Sequence, residues 1–323
     1  MVASIASCAV VRSVTTEASI KSKAKSYVVI AGPTGSGKSA LGLALSEALD
    51  GEIINCDSVQ VYRGFMIGAA KATAAERSRV PHHLLDVVQA HENYDAALFA
   101  ATAHQCKTEI WDRGRLPVIV GGTGLYLRAF LGQGWHSDLP QDARLRDELR
   151  ALPNTKLLED LRAIDPVRAA GLHPNDRVRL LRSLELVRLL GRPLADAGLT
   201  AEQPADPAAL VIVIEPLRPV LHARIERRTR AMLAQGLIDE VKDLLASGIS
   251  PAAKPMQSIG YKQVCAYLQG QLREDQLEDA IVAATRQYAK RQCTWFRRLT
   301  ADLRLSGDEP FDAVLASLRE GLR

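Results

Sequence analysis

Three things are scarce in this 323-residue chain. No apolar run approaches the roughly 18–20 residues that carry a helix across a bilayer, which excludes a helical membrane protein. Its five cysteines, Cys8, Cys56, Cys106, Cys265 and Cys293, are odd in number, far apart and without a CxxC pair. That usage fits reduced thiols in a cytoplasmic protein and excludes a disulfide framework or a thiolate zinc site. Excess charge of one sign is also missing, since 41 basic side chains face 37 acidic ones for a net +4. Most of that excess sits in Arg12, Lys21, Lys23 and Lys25, opposed only by Glu17, so the body of the chain is close to neutral. A polyanionic partner must therefore be argued from where charge is placed, not from its sum. Disorder throughout is excluded as well, because 47% hydrophobic and 24% charged residues are the proportions of a folded domain.

What is present divides the chain into three. Residues 1–25, rich in Ser, Ala, Val and Thr, are expected to be a disordered extension. A tail or a start codon placed too early accounts for them better than a transit-like presequence. From Tyr27 the pattern alternates strand and helix. Tyr27–Ala31, Glu52–Cys56, Leu116–Val120 and Ala209–Ile214 are short β-branched runs, and Ala96–Arg113 is a helical stretch between the second and third. Such alternation predicts an α/β fold, P-loop NTPase-like, with a mostly parallel sheet flanked by helices. Residues 137–205 lack strand-like runs and carry many Arg-Leu pairs, which predicts a helical insertion. Residues 26–136 and 206–323 then form the core, closing with long helices around Leu221–Ala246, Ser258–Leu268 and Glu274–Leu299.

Gly32-Pro33-Thr34-Gly35-Ser36-Gly37-Lys38-Ser39 fits G-x-x-x-x-G-K-[ST], with a strand before it and a helix after. The glycines let successive N–H groups converge on phosphate oxygens at a helix N-terminus. Lys38 is placed to reach a terminal phosphate and the Ser39 hydroxyl to ligate Mg²⁺. An ordinary nucleotide hydrolase also needs an acid at the end of a second strand, whereas Leu116–Val120 runs into Gly121-Gly122-Thr123. That leaves room for a diphosphate donor other than ATP. Asp57 directly follows the second strand, at the sheet edge where ligands bind in open parallel sheets. It is either a general base or the cap of the next turn. Thr123 is likewise either a phosphate contact or a helix cap. His82, His83 and Asp86 are not spaced for zinc and are expected as polar contacts at the rim of the site.

Together these residues resemble the tRNA dimethylallyltransferases, the bacterial isopentenyltransferases of the IPP transferase family. The matching segments are Gly32–Ser39, Asp57–Gly64 (DSVQVYRG), Ile67–Lys71, Pro81–Asp86, Gly121–Tyr126, His173–Asp176, Arg179–Glu185, Ser258–Gln263 and Thr285–Arg297 (TRQYAKRQCTWFR). The phosphate loop is generic; DSVQVYRG and the last segment are specific to this group. The resemblance implies transfer of a dimethylallyl group from its diphosphate to N6 of the adenosine 3′ to the anticodon, in tRNAs reading codons that begin with U. It implies that Lys38 and Ser39, with Mg²⁺, hold the donor, that Asp57 is the base, that Thr123 contacts the diphosphate and that Arg224 steadies the leaving group. It further implies tRNA contacts from Asp57, Ser58, Val59, Gln60 and Thr123, from Arg179 and Arg182, from Gln257, Gly260, Tyr261 and Lys262, and from Lys290, Arg291, Gln292, Trp295 and Arg297. A channel admitting donor and base from opposite sides is expected, in a monomer. Ala69 departs from the family, which usually has Thr there, and that puts any side-chain contact at this position in doubt.

Charge placement agrees with an RNA partner. Arg286–Arg298 holds five bases and no acid, and on a helix Arg286, Lys290 and Arg297 fall within about 40° of one another, with Tyr288, Trp295 and Leu299 on the packed side. Arg224, Arg227 and Arg228 share a second face, and Arg177, Arg179, Arg182, Arg188 and Arg192 stand against only Glu185 in a third stretch. A small-molecule kinase shares the phosphate loop but not these helices. A prenyltransferase acting on free adenine nucleotide needs no long basic footprint. A non-catalytic tRNA-binding protein has no need of Asp57 or Lys38.

Overall fold

The computed structural model describes residues 26–132, 139–197 and 206–322. The expected disordered extension, 1–25, lies outside the described residues, as do 133–138 and 198–205 around the expected domain junctions. Six strands, β1 Tyr27–Ala31, β2 Gly51–Cys56, β3 His82–His83, β4 Leu116–Gly121, β5 Ala209–Ile214 and β6 Leu303–Leu305, form one sheet. Their order is β3-β2-β4-β1-β5-β6 and every neighbouring pair is parallel. The helices are α1 Lys38–Ala48, α2 Ala74–Arg79, α3 Ala96–Asp112, α4 Gly124–Phe130, α5 Ala143–Arg150, α6 Asn154–Ile164 and α7 Pro166–Ala170. They continue with α8 Arg177–Leu190, α9 Arg218–Ala234, α10 Leu237–Ala246, α11 Tyr261–Leu268, α12 Glu274–Phe296 and α13 Phe311–Gly321.

The sheet is covered on both faces, which is why its strands read as continuous apolar runs. Along β1, Tyr27, Val29 and Ala31 enter one layer with Phe99 of α3, Leu127 of α4, Val264 of α11 and Ile281 of α12. Val28 and Ile30 enter the opposite layer, beneath Leu43 of α1 and Leu318 of α13. Each buried Val, Ile, Leu or Phe among them stabilises the fold by about 1.5–3 kcal/mol. A third cluster is built by Leu149, Leu157, Leu161, Leu180, Leu184 and Val187 of α5, α6 and α8, joined by Ala169 of α7 and by Leu172 and Leu194. Aspartates start two of these helices, α5 and α8: the Asp142 and Asp176 carboxylates accept the N–H of Leu145 and Arg179.

Three expectations are corrected. The helix expected over Leu221–Ala246 is two, because Gly236 takes φ 97° between α9 and α10. The helix expected from Ser258 begins at Tyr261, since Gly260 sits at φ 93° and Lys254–Gln257 forms a separate 3₁₀ turn. His82 and His83 are not at the rim of the site. They form the edge strand β3, where His83 Nε2 lies 2.6 Å from Glu52 near the start of β2, and Asp86 pairs with Lys71 and Arg77.

Candidate active site

At the carboxyl end of β1 the chain turns through Gly35 at φ 80° and Gly37 at φ 96°, conformations that only glycine adopts without strain. Gly37 is the N-cap of α1, so the N–H groups of Lys38, Ser39 and Ala40 have no intrahelical acceptor and are open to a phosphate, whereas that of Leu41 already donates to Gly37 O. Two amides of the loop are already committed. Ser36 N–H donates to Pro33 O at 3.1 Å, and Thr34 N–H donates to Gln292 Oε1 at 2.9 Å. The Lys38 amine lies 3.3 Å from Pro33 O. Burial, and then the neighbouring Arg228 guanidinium, push its pKa down to about 8 against the pull of Asp57 and Cys56.

A cavity of about 290 Å³ opens over this loop, lined by Lys38, Ser39 and three arginines of α9, Arg224, Arg227 and Arg228, with no acid among its lining. Arg224 is partly occupied: its Nη1 donates to Ser36 O at 3.1 Å, and its Nη2 lies 3.2 Å from the Asp308 carboxylate. Arg228 points further in, and its Nη1 donates to Thr34 Oγ1 at 3.3 Å. Burial lowers the Arg228 pKa and the Asp57 charge opposes that shift.

The carboxyl ends of β2 and β4 supply the other wall. Asp57 Oδ1 accepts the N–H of Val59 at 2.8 Å and of Gln60 at 3.3 Å, so the turn-capping role does exist and occupies one carboxylate oxygen. Thr123 is the N-cap of α4 but makes no side-chain cap bond. Its hydroxyl instead accepts Ser58 N–H at 3.2 Å and hydrogen-bonds Tyr288. Burial, then the negative charge of Asp57, raise the Tyr288 hydroxyl to about 12. The glycines around Thr123 are dictated by their neighbours. A Cβ would lie 2.0 Å from Cys56 O at Gly121, 2.7 Å from Gln292 Nε2 at Gly122 and 2.6 Å from the Trp295 ring at Gly124.

A second cavity, of about 300 Å³, is reached from Thr34, Asp57 and Arg228 and extends to an apolar part formed by Ile225, Met232, Ile259 and Ile281. Arg228 lines both cavities. Of the residues expected at an RNA contact, Asp57, Ser58, Val59, Gln257, Gly260 and Arg291 all line the second cavity. Lys262, Lys290 and Arg297 are exposed. Gln60 is turned to Ala69 O and Ala70 O, with Nε2 2.9 Å from the first. Ala69 is held by its backbone, its N–H donating to Tyr261 Oη at 3.0 Å, so this contact does not depend on its side chain.

Three residues expected at an RNA contact also make contacts within the protein. Tyr261 is fully buried against Phe65 and gives its hydroxyl hydrogen to Glu240, 2.5 Å away. Gln292 is buried between Thr34 and Gly122, and Trp295 packs on Gly124. Tyr261 and Gln292 offer an RNA almost no surface. The basic stretches also carry fewer free charges than a count of bases suggests, because acids of the same helix and of other elements meet them. Arg182 and Arg146 share the buried Glu185, Arg188 meets Asp160, Arg179 meets Asp176 and Arg286 meets Glu226. Lys290, Arg291, Arg297 and Arg298 remain exposed, without an acidic partner among the described residues. Two residues not singled out from the sequence belong to the site. Arg228 shares the basic face read on α9, and Tyr288 was assigned to the packed side of α12 because an aromatic at helical spacing reads first as core.

Comparison with known proteins places these features in a family. The family model described as "IPP transferase" matches residues 60–299. The chain is 45% identical over 298 residues to a tRNA dimethylallyltransferase of Geobacter metallireducens, covering 90% of this chain and 96% of that protein. It is 39% identical to one from Desulfitobacterium hafniense, covering 92% and 96%. Among solved structures, a tRNA isopentenylpyrophosphate transferase of Bacillus halodurans superposes with a TM-score of 0.67 at 38% identity, covering 92% of this chain and 95% of that one. A eukaryotic dimethylallyltransferase solved acting on tRNA gives 0.74 at 30% identity, covering 84% and 70%.

Proposed function

The chain belongs to the IPP transferase family, and from that premise we propose that it transfers a dimethylallyl group from dimethylallyl diphosphate to tRNA. The acceptor is N6 of the adenosine 3′-adjacent to the anticodon in tRNAs reading U-starting codons, and the products are N6-isopentenyladenosine and diphosphate. One observation carries the reading. An acid-free cavity with a lysine and three arginines shares Arg228 with a second, partly apolar cavity that holds Asp57. The first suits a diphosphate and the second an adenine with a five-carbon chain.

In the transfer, the adenine nitrogen forms a bond to the allylic carbon as the carbon–oxygen bond to diphosphate breaks. Asp57, through the oxygen not used in its turn, takes the proton that the amine sheds. Charge gathers on the departing diphosphate, where Lys38, Arg224 and Arg228 meet it in a partly desolvated cavity. The N–H groups of Gly35, Gly37, Lys38 and Ser39, free of the commitments of Thr34 and Ser36, hold the phosphate oxygens, and the Thr123 hydroxyl stands at the junction. Ser39 lines the cationic cavity and no carboxylate does. That donor set fits a Mg²⁺ held by one hydroxyl and mainly by the diphosphate's own oxygens, a common arrangement for this ion. When bound, Mg²⁺ neutralises charge on the leaving group.

The acceptor base must leave its stack to reach Asp57. Lys262, Lys290, Arg291 and Arg297, all exposed, are the proposed phosphate contacts that hold the anticodon arm, with Arg179 of the helical insertion, residues 137–205, reaching it from the side. No helix among the described residues is long and apolar enough to cross a membrane. A cytoplasmic monomer is proposed. The test offers purified protein dimethylallyl diphosphate and Mg²⁺ with unmodified tRNA, AMP, or ATP without RNA. Prenylation of tRNA is the expected result; prenylation of AMP alone, or ATP turnover without RNA, would overturn the reading.

A further inference from the structure

Gln292 lies on α12 between two exposed bases, Lys290 and Arg291, and Trp295, yet its own side chain is turned inward and is 7% exposed. Its Oε1 accepts Thr34 N–H at 2.9 Å and its Nε2 donates to Gly122 O at 2.8 Å. The amide has no choice of orientation here, because a backbone N–H can be met only by the carbonyl end and a backbone carbonyl only by the NH₂ end. Thr34 belongs to the phosphate loop and Gly122 directly precedes Thr123, so one side chain joins the two loops that frame the donor site. The join is close to the chemistry. A Cβ on Gly122 would lie 2.7 Å from Gln292 Nε2 and 3.4 Å from Lys38 Nζ, which places the amide beside the lysine's amine.

We infer that Gln292 is a positioning residue for the diphosphate-binding loop and for Thr123, and that it sets donor affinity without contacting tRNA. This rests on the donor site proposed above. Without the Oε1 contact, the Thr34 N–H loses its acceptor inside the protein. The loop is then free to turn that amide outward, which displaces the Thr34 hydroxyl on which Arg228 is anchored at 3.3 Å. Without the Nε2 contact, Gly122 O is left buried and unpaired next to the residue that carries the Thr123 hydroxyl. Packing alone would be served by any apolar side chain of the same length. The paired donor and acceptor are needed only if both loops must be held in register.

Three measurements on Gln292→Met, which keeps the length and loses both hydrogen bonds, separate positioning from RNA contact and from simple destabilisation. They are calorimetric titration with inorganic diphosphate and Mg²⁺, filter binding of unmodified tRNA, and steady-state prenyl transfer. Loss of two modest hydrogen bonds predicts that diphosphate affinity falls, and the donor KM rises, by roughly tenfold. The tRNA Kd should stay within about twofold of wild type, because no charge on the exposed face has changed. Gln292→Leu, equally uncharged and without either hydrogen bond, should weaken diphosphate binding in the same way and gives the same reading if the Met variant does not fold. A tenfold weaker tRNA Kd with diphosphate affinity unchanged would overturn the inference, as would diphosphate affinity unchanged in both variants. The diphosphate titration needs no acceptor. A wild-type protein that binds diphosphate but modifies no tRNA would therefore remove the proposed reaction without deciding the role of Gln292.

Discussion

Arg228 Nη1 donates to Thr34 Oγ1 at 3.3 Å, which fixes a guanidinium that lines both cavities against the wall between them. Arg224, four residues earlier on the same face of α9, is partly spent on Ser36 O and Asp308. The pair should therefore differ when removed. Arg228→Ala should lower kcat by about 10²-fold or more, the typical loss for one preorganised donor on developing charge. Arg224→Ala should act mainly through the donor KM, and by less. Steady-state kinetics with varied dimethylallyl diphosphate distinguishes the two.

Asp57→Asn keeps an oxygen that can accept the N–H of Val59 and Gln60, so the turn should persist. It loses the base. Transfer should fall by roughly 10²–10⁴-fold while the Kd values for tRNA and inorganic diphosphate stay within about twofold. Near-normal turnover in this variant would remove Asp57 as the proton acceptor.

The Lys38 amine, brought to about 8 by burial and by Arg228, loses its charge in a pH range where exposed lysines keep theirs. Donor kcat/KM should accordingly fall as pH rises through about 8. Stability of the unliganded protein should move the opposite way. Between about 8 and the ordinary lysine range the unfolded chain still holds a proton that the folded protein has released, so rising pH favours the folded state there. Saturating diphosphate restores the charge and should shift the decline to higher pH. A pH series of kcat/KM alongside melting curves checks both signs.

Glu240 of α10 holds the wall of the second cavity. Its carboxylate accepts the N–H of Met66, Ile67 and Gly68, the second at 2.6 Å, as well as the Tyr261 hydroxyl. Glu240→Ala leaves these donors without an acceptor and should cost about 2 kcal/mol, the smaller end of the expected range because the site is partly exposed. Calorimetry should show a melting temperature lower by a few degrees. The acceptor side should suffer too, since Gly68 and Ala69 line that cavity.

Much of this was legible in the sequence where a local pattern has one physical solution. The run from Tyr27 to Ser39 is an apolar strand feeding a glycine turn and a helix, and that is what forms. β5 occupies the expected Ala209–Ile214. What escaped was decided by partners distant in the chain. β3 and β6, two and three residues long, exist because β2 and β5 offer free edges, not because His82-His83 or Leu303–Leu305 has a strand pattern. The break at Gly236 lies inside a continuous helical pattern and is set by the φ of 97° that the glycine takes between α9 and α10. The charges on α8 and α12 were overcounted because Asp160 and Glu226, which meet Arg188 and Arg286, lie far from them in sequence. Gln292 and Tyr261 are expected at the RNA because their segments resemble the RNA-contacting part of the family, and a resemblance does not reveal that Gln292 also joins Thr34 to Gly122 and Tyr261 binds Glu240.

The most direct test of the whole account is chemical identification of the product. Unmodified tRNA reading a U-starting codon is incubated with the protein, dimethylallyl diphosphate and Mg²⁺, then digested and its nucleosides resolved by mass spectrometry. The account predicts N6-isopentenyladenosine at the position 3′ to the anticodon, and its disappearance when Asp57→Asn replaces the wild type. An adenosine left unmodified at that position by active-folded protein, or a prenyl group found on another nucleoside, would contradict it.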